Sequence, residues 1–326
     1  MSKKKTLIFT LKIIVSGTLL YYIITKINWT EALQNFNHAN YFLIFLVFLS
    51  NILERVELTY KWNILIRVRG LYVSFIRLFL INLIGGFWGL FLPSSVSTDV
   101  IRGYYLVKNN SEKSISISSV LVDRILSLFA LLLFCVVFVL IGGDVVAKYK
   151  MNIYLPLLFI VSLVFFYFFQ KEKTAGFIEK IFRKINIKKL TSFIVKLHLS
   201  ILEYKQYPRA LLQSFLINLL VQVTRVITYY LIAMAFGISV PIIYFFLFIP
   251  VIMLVLIFPI SIGGLGIREG TFIAFFSMVG MSINDAVIIT FTSTFIDTLN
   301  TLFGGIAYLF FNSSEAKRVP IKNLSD

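Results

Sequence analysis

Two arginines in apolar surroundings carry the chemistry most open to reading from this sequence. Arg102 lies nine residues after Pro93 in LPSSVSTDVIRG (92–103), and Arg268 lies nine after Pro259 in FPISIGGLGIREG (258–270). Ser95 and Ser261 each follow the proline by two. Proline has no amide hydrogen and ends an incoming helix. Ser94, Ser95, Ser97 and Thr98 are good N-cap residues for the helix that follows, and Gly263, Gly264 and Gly266 permit a tight turn. Each element would then aim a helix N-terminus at one point, where free amides and the helix dipole favour an anion. Arg102 and Arg268, expected just over one turn into the outgoing helix, would each add a guanidinium, which grips phosphate at two points.

Other charges stand in apolar runs. They are Asp99, Asp123, Arg124, Glu269 and Asp297, with Glu54, Arg55, Glu57 and Lys61 earlier, and Arg225 midway along its run beside Gln222 and Thr224. Ionisable groups inside a membrane cost at least ~2.5 kcal/mol each on insertion scales, so a functional role is the default. Local neutralisation is the competing reading. Arg102 could pair with Asp99, Arg268 with Glu269 or Asp297, Asp123 with Arg124, Glu54 with Arg55, and Glu57 with Lys61 at i,i+4 spacing.

The elements that position these residues are helices in lipid. Apolar residues make up 59% of 326 positions and charged residues 14%, with mean hydropathy +0.90. A soluble chain of this length could not clothe so much apolar surface in a polar exterior. Runs at about 7–25, 41–60, 116–142, 152–169, 210–236 and 283–311 read as full spans. Those at about 75–92 and 241–259 run into the two proline elements. The first run is too long for a signal peptide and lacks a small-residue cleavage site, so it reads as a retained helix. Cys135 is the single cysteine, and His38 and His198 are far apart. Neither a metal centre, a Ser-His-Asp triad nor a cofactor is expected, and no Walker motif is present.

Basic residues orient the chain. Lys3, Lys4 and Lys5 place the N-terminus inside, and Lys317, Arg318 and Lys322 the C-terminus. Lys61, Arg67, Arg69 and Arg77 place the end of the second span inside. Segment 171–209 holds ten Lys or Arg against three acids, with apolar residues such as Phe177, Ile181, Phe193 and Leu197 at helical spacing. It reads either as amphipathic helices on the anionic cytoplasmic leaflet or as a solvated topogenic loop. The net charge of +16 is therefore mostly positive-inside charge, and nucleic acid is not an expected partner.

The two proline elements belong to a repeat. Downstream of them VDRILSLF (122–129) matches IDTLNTLF (296–303), with Asp123 opposite Asp297. Counting spans turns the second copy upside down relative to the first. The expected fold is an all-α integral membrane protein, a polytopic helical bundle with two inverted repeats, each containing a re-entrant helical hairpin. It forms one membrane domain over 1–326, with repeat 1 at about 41–142, the basic loop at about 171–209 and repeat 2 at about 210–311.

Gly85-Gly86-Phe87-Trp88, Leu92-Pro93-Ser94 with Asp99 and Arg102, Val122-Asp123-Arg124, and Pro259 followed by Gly263-Gly264-Leu265-Gly266-Ile267-Arg268-Glu269 together resemble the lysylphosphatidylglycerol synthase transmembrane region, or flippase-like domain family. The resemblance covers nearly the whole chain. The family's first element usually reads Pro-Gly-x-x-Gly-Gly-Asp, where this chain has Ser94, Ser97 and Thr98, and its usual Glu-Arg is Asp123-Arg124 here. The resemblance implies translocation of an anionic phospholipid of the aminoacyl-phosphatidylglycerol type, or of a polyprenyl-phosphate-linked sugar, across the cytoplasmic membrane. Membrane lipids are the expected ligands, and an envelope glycosyltransferase or a lipid-modifying synthase the expected protein partner. The chain has no room for a synthase domain, so it is not expected to aminoacylate lipid or to act as an enzyme. An intramembrane lipid-modifying enzyme and a non-transporting partner of a glycosyltransferase are the alternatives.

Overall fold

Apolar runs become helices with boundaries close to those of the hydropathy pattern. The computed structural model describes residues 38–91, 97–108, 113–142, 150–169, 198–258, 261 and 264–310, with isolated positions 18 and 25. In chain order the helices are α1 Tyr41–Arg67, α2 Phe75–Phe91, α3 Ser97–Lys108, α4 Lys113–Ile141, α5 Met151–Phe169, α6 Pro208–Ala235, α7 Ile242–Leu256, α8 Ile267–Phe276 and α9 Ile283–Phe310. No strand occurs among the described residues. The first expected span (7–25) apart from positions 18 and 25, the basic pattern over 171–197, and Pro93, Ser94, Ser95, Pro259, Gly263 and the C-terminal lysines lie outside the described residues.

Helices α4, α6 and α9, of 28 or 29 residues, are long and apolar enough to cross a membrane. At 1.5 Å per residue each exceeds the roughly 30 Å hydrocarbon core. Their outer faces expose Val137, Leu140, Leu216, Leu220, Phe295, Phe303 and Ile306, as a lipid-facing surface should. Helix α1 is 27 residues long but carries Glu54, Arg55, Glu57 and Lys61. Its side chain at Asn40 caps the helix by accepting from the amides of Phe42 and Leu43. α1 continues past the expected end at 60 to Arg67, so Lys61 is not a loop charge that orients the chain. It is 2% exposed inside the bundle.

Helices α1 and α6 run antiparallel along their whole length. The Asn40 amide donates to the Ala235 carbonyl at 2.8 Å, Ser50 meets Thr228, Thr224 donates to Glu57, and Tyr204, just before α6, donates to the Leu65 carbonyl. Burial pushes the Tyr204 phenol up, which keeps that donor protonated. Two antiparallel helical hairpins flank this pair. In the first, Gly85 and Gly89 of α2 face Arg102 and Thr98 of α3. In the second, Phe248 of α7 stacks on Phe275 of α8, and Phe276 packs against Phe245 and the edge of Phe248. At 12 and 10 residues, α3 and α8 are too short to cross a bilayer.

The helix contacts have a regularity. α1 packs on α2, α4, α6 and α9, while α6 packs on α7, α9, α1 and α4. The hairpin α2–α3 rests on α9 and α4, and the hairpin α7–α8 on α4 and α9. Exchanging α1 with α6, α2 with α7, α3 with α8 and α4 with α9 leaves this set of packed pairs unchanged. Helix α5 lies outside the exchange, against α4.

Close helix approach depends on glycine, since apolar side chains gain little from association in lipid. A Cβ on Gly304 of α9 would stand 2.1 Å from the Leu83 carbonyl oxygen of α2. We expect Gly304→Ala to destabilise the protein by about 1–3 kcal/mol through overpacking, seen as a lower unfolding midpoint in detergent. Gly270→Ala, where a Cβ meets nothing within 4 Å, should leave the midpoint unchanged or raised.

Candidate functional site

The long helices α1, α4, α6 and α9 surround a cavity of about 440 Å³ near their mid-lengths, and its walls are charged. Among the described residues six cations line it, Arg55, Lys61, Arg102, Arg124, Arg225 and Arg268, against four carboxylates, Glu54, Asp99, Asp123 and Asp297. With all ten ionised, two positive charges remain.

Most of these charges are held by partners on other helices. Lys61 of α1 pairs with Asp123 of α4 at 2.8 Å and donates to Ser127 and Asn218 at 2.7 Å each. Asp123 also accepts from Arg102 of α3 at 3.2 Å, and Arg102 reaches Asp99 at 3.2 Å. The Arg102 guanidinium lies over the Trp62 ring, 4.3 Å from its centre, a cation–π contact that offsets part of its lost hydration. Arg124 stands 3.5 Å from Asp99. In the other half, Arg225 of α6 pairs with Glu54 of α1, and Arg55 with Asp297 of α9 at 2.5 Å.

Arg268 is different. Its Nη1 donates to Thr294 at 3.0 Å, and no carboxylate among the described residues lies within ion-pair distance; its Nε, like that of Arg102, is buried with no hydrogen-bond partner among them. The local sequence explains its position. Gly264 (φ 79°) and Gly266 (φ 78°) take backbone conformations that side chains resist, and the Arg268 amide donates back to the Gly264 carbonyl at 2.9 Å. Glu269 accepts from the Gly266 amide at 2.6 Å, so its carboxylate caps α8 instead of pairing with Arg268. Arg268 is thus the second residue of α8, in its first turn, and not just over one turn in; Arg102 is the sixth of α3, as expected.

Asp99, Arg102, Asp123, Arg124, Arg225, Arg268 and Asp297 therefore meet in one cavity, although the sequence separates them by almost 200 positions. Gly264, Gly266 and Glu269 shape the turn that delivers Arg268. Ser97 opens α3, and Thr98 lines the cavity. The expected local pairs need correction. Of them, only Arg102–Asp99 forms. Asp123 bonds Lys61 and Arg102 rather than Arg124, Glu54 bonds Arg225 rather than Arg55, and Glu57 accepts from Thr224 at 2.9 Å rather than meeting Lys61. Adjacent residues on a helix point about 100° apart, which separates Asp123 from Arg124 and Glu54 from Arg55, while Lys61 and Glu57, on one face, each meet a partner on another helix. Asn51, Asn218, Ser127, Tyr229 and Ser293 also line the cavity. The spacing of Asn218, Gln222 and Arg225, a polar stripe at helical period in an apolar span, is the signal that marks them. No group of His, Cys, Asp and Glu that could hold a metal occurs among the described residues.

Residues 9–304 match the family model for the lysylphosphatidylglycerol synthase TM region, a stretch that contains every residue lining the cavity. The chain belongs to this family. It is also 32% identical over 167 residues to the UPF0104 membrane protein MJ1595 of Methanocaldococcus jannaschii, covering 50% of this chain and 49% of that protein. The chain thus spans about half the length of the curated relative it matches. No solved structure matches the chain. Family membership and the apolar helices together make this a multi-pass membrane protein.

Removing one member of a buried ion pair leaves the other uncompensated, which costs about 3–5 kcal/mol. Asp123→Asn should lower unfolding stability in detergent by that order, since it strands Lys61. The double variant Lys61→Met/Asp123→Leu should recover a large part of the loss.

Proposed function

We propose that this chain moves an anionic lipid across the bilayer, the phosphate of its headgroup passing through the cavity between Arg102 and Arg268. One observation carries the reading: a polar cavity at mid-depth of the spanning helices with more cations than carboxylates, one of those cations, Arg268, having no carboxylate partner among the described residues. A phosphodiester or lipid-linked phosphate would compensate that excess. A charged cavity is costly in the middle of a membrane and marks a substrate path.

The inverted-repeat architecture is part of this proposal. α1 and α6 run antiparallel, with the Glu54–Arg225 pair joining their central parts. The exchange that preserves the helix contacts pairs α1–α4 with α6–α9. Both facts support a pseudo-twofold axis in the membrane plane through that ion pair. The hairpins α2–α3 and α7–α8 would then enter from opposite sides as re-entrant elements, each bringing one arginine to the centre. Rocking of one repeat against the other would expose the anion to the two leaflets in turn. In the proposed setting, a cytoplasmic membrane with both termini inside, the driving force comes from the lipid gradient, ions or the membrane potential.

The substrate class is an aminoacyl-phosphatidylglycerol type phospholipid or a polyprenyl-phosphate-linked sugar, and we place the chain among transporters rather than enzymes. Asp123 and Asp297 are engaged in ion pairs and Glu269 in a cap, which leaves these acids poorly suited to proton transfer in a reaction. A glycosyltransferase or lipid-modifying synthase would supply or consume the lipid.

Purified protein in vesicles should scramble fluorescent phosphatidylglycerol, read as the fraction of label reached by an impermeant quencher. Arg268→Gln should slow scrambling about tenfold or more, the worth of one charge-assisted hydrogen bond, with the unfolding midpoint retained. Arg102→Gln should slow it as well. Undiminished rates in both variants would remove the arginines from the path, and intrinsic scrambling absent from the wild type would move the chain to the role of a non-transporting partner.

A further inference from the structure

The seam between α1 and α9 leads from the cavity to a second cavity of opposite character. This groove holds about 690 Å³ and is lined by Ile44, Phe45 and Phe48 of α1 and by Phe291, Phe295 and Leu299 of α9. Apart from the hydroxyls of Tyr41 and Thr292, its lining side chains are hydrocarbon or aromatic. One turn beyond Phe48, Asn51 belongs to the polar cavity, and so does Arg55 one turn further. On α9, Ser293 and Asp297 line the polar side while Thr292 and Ile296 line the groove. The Arg55–Asp297 pair lines the polar cavity beside Ile296 of the groove, and Arg55 also reaches Thr301 at 3.4 Å.

The counterpart seam is closed. Exchanging the halves carries α1 and α9 onto α6 and α4, and Asp297 onto Asp123. There Ser127 of α4 donates to Asn218 of α6 at 2.9 Å, and both accept from Lys61. Asp123 of α4 and Asn218 of α6 are 3% and 1% exposed, whereas the Asp297 and Arg55 side chains are 38% and 18% exposed. The α4/α6 seam is held by a polar contact to the buried Asn218, and the α1/α9 seam, among the described residues, by the partly exposed Arg55 on Asp297 and Thr301.

We infer that the α1/α9 groove binds the hydrocarbon chain of an anionic lipid, and that the Arg55–Asp297 pair is the gate its headgroup passes to reach Arg268. This inference rests on the anion-cavity reading above. A lipid whose headgroup enters the cavity must keep its chains out of it, because each methylene loses about 0.8 kcal/mol when taken from an apolar to a polar setting. The groove is the apolar space that adjoins the cavity at the gate. The occupant is therefore an acyl or prenyl chain. The gate can open without stranding a charge. Thr294, which holds Arg268, is three residues before Asp297 on α9, so Asp297 keeps a cation within about a helical turn when Arg55 turns away. Arg55 is then free to meet the phosphate.

The test places p-benzoylphenylalanine at Phe295 in the groove, or at Ile160 on the exposed face of α5 as a control. The full chain is reconstituted in phosphatidylcholine vesicles with a small fraction of phosphatidylglycerol and irradiated. Adducts at position 295 should contain phosphatidylglycerol at about tenfold its share of the bilayer, the ratio one charge-assisted hydrogen bond supports. That enrichment should disappear in Arg268→Gln, and adducts at position 160 should follow the bulk composition. Adducts at 295 that follow the bulk, that join it to the chain's own residues 7–25, or that do not form at all would overturn the inference. The same vesicles report scrambling. Enrichment without scrambling removes the transport reading and leaves the groove site standing; scrambling without enrichment removes the groove alone.

Discussion

Asp123 holds two cations at mid-depth of the bundle, and much of the rest of the structure follows from that constraint. Lys61 from α1 and Arg102 from α3 converge on one carboxylate of α4. In a medium of low dielectric such charges attract strongly, but each is expensive to strip of water. The cost is met by extra contacts: Ser127 and Asn218 around the ammonium, Asp99 and the Trp62 ring around the guanidinium. Those contacts fix the register of α1 on α6 and of the hairpin α2–α3 on α4. Gly85 serves the same end, since a Cβ there would press on the Arg102 side chain at 3.0 Å.

The second half of the bundle solves the problem differently. Its hairpin is held by an aromatic core in which Phe272 and Phe276 stack at 4.2 Å and Phe245 and Phe248 pack around them. With adhesion supplied by rings, Arg268 need not be tied down by a carboxylate, and Glu269 can close the helix start instead. The two hairpins thus present an arginine each, Arg102 held by two carboxylates and Arg268 by the Thr294 hydroxyl. That difference is what the proposed transport cycle would exchange between the halves.

Much of this was legible in the sequence because lipid makes the rules simple. A spanning segment must be long, apolar and helical, so α4, α6 and α9 begin and end within three residues of their hydropathy runs. The glycines before Arg268 announced a turn that only they could make at positive φ. The candidate charges were also identifiable, since so few residues in these spans can ionise. Their partners were not. Local spacing suggested Glu57–Lys61 and Glu54–Arg55, whereas the bundle joins Lys61 to Asp123 and Arg55 to Asp297 across 62 and 242 positions. Helix rotation and depth decide such pairs, and neither is written in a single span. For the same reason Lys61 reads as a loop charge in sequence and proves to be among the most buried side chains of α1.

The central claim is that the cavity accepts an anionic headgroup because Arg268 has no carboxylate partner among the described residues. Native mass spectrometry of the purified protein, titrated with equal amounts of phosphatidylglycerol and phosphatidylcholine, tests it most directly. The account predicts one phosphatidylglycerol retained in preference to phosphatidylcholine, with the preference abolished by Arg268→Gln. Equal retention of the two lipids by the wild type, or a preference indifferent to that substitution, would contradict it.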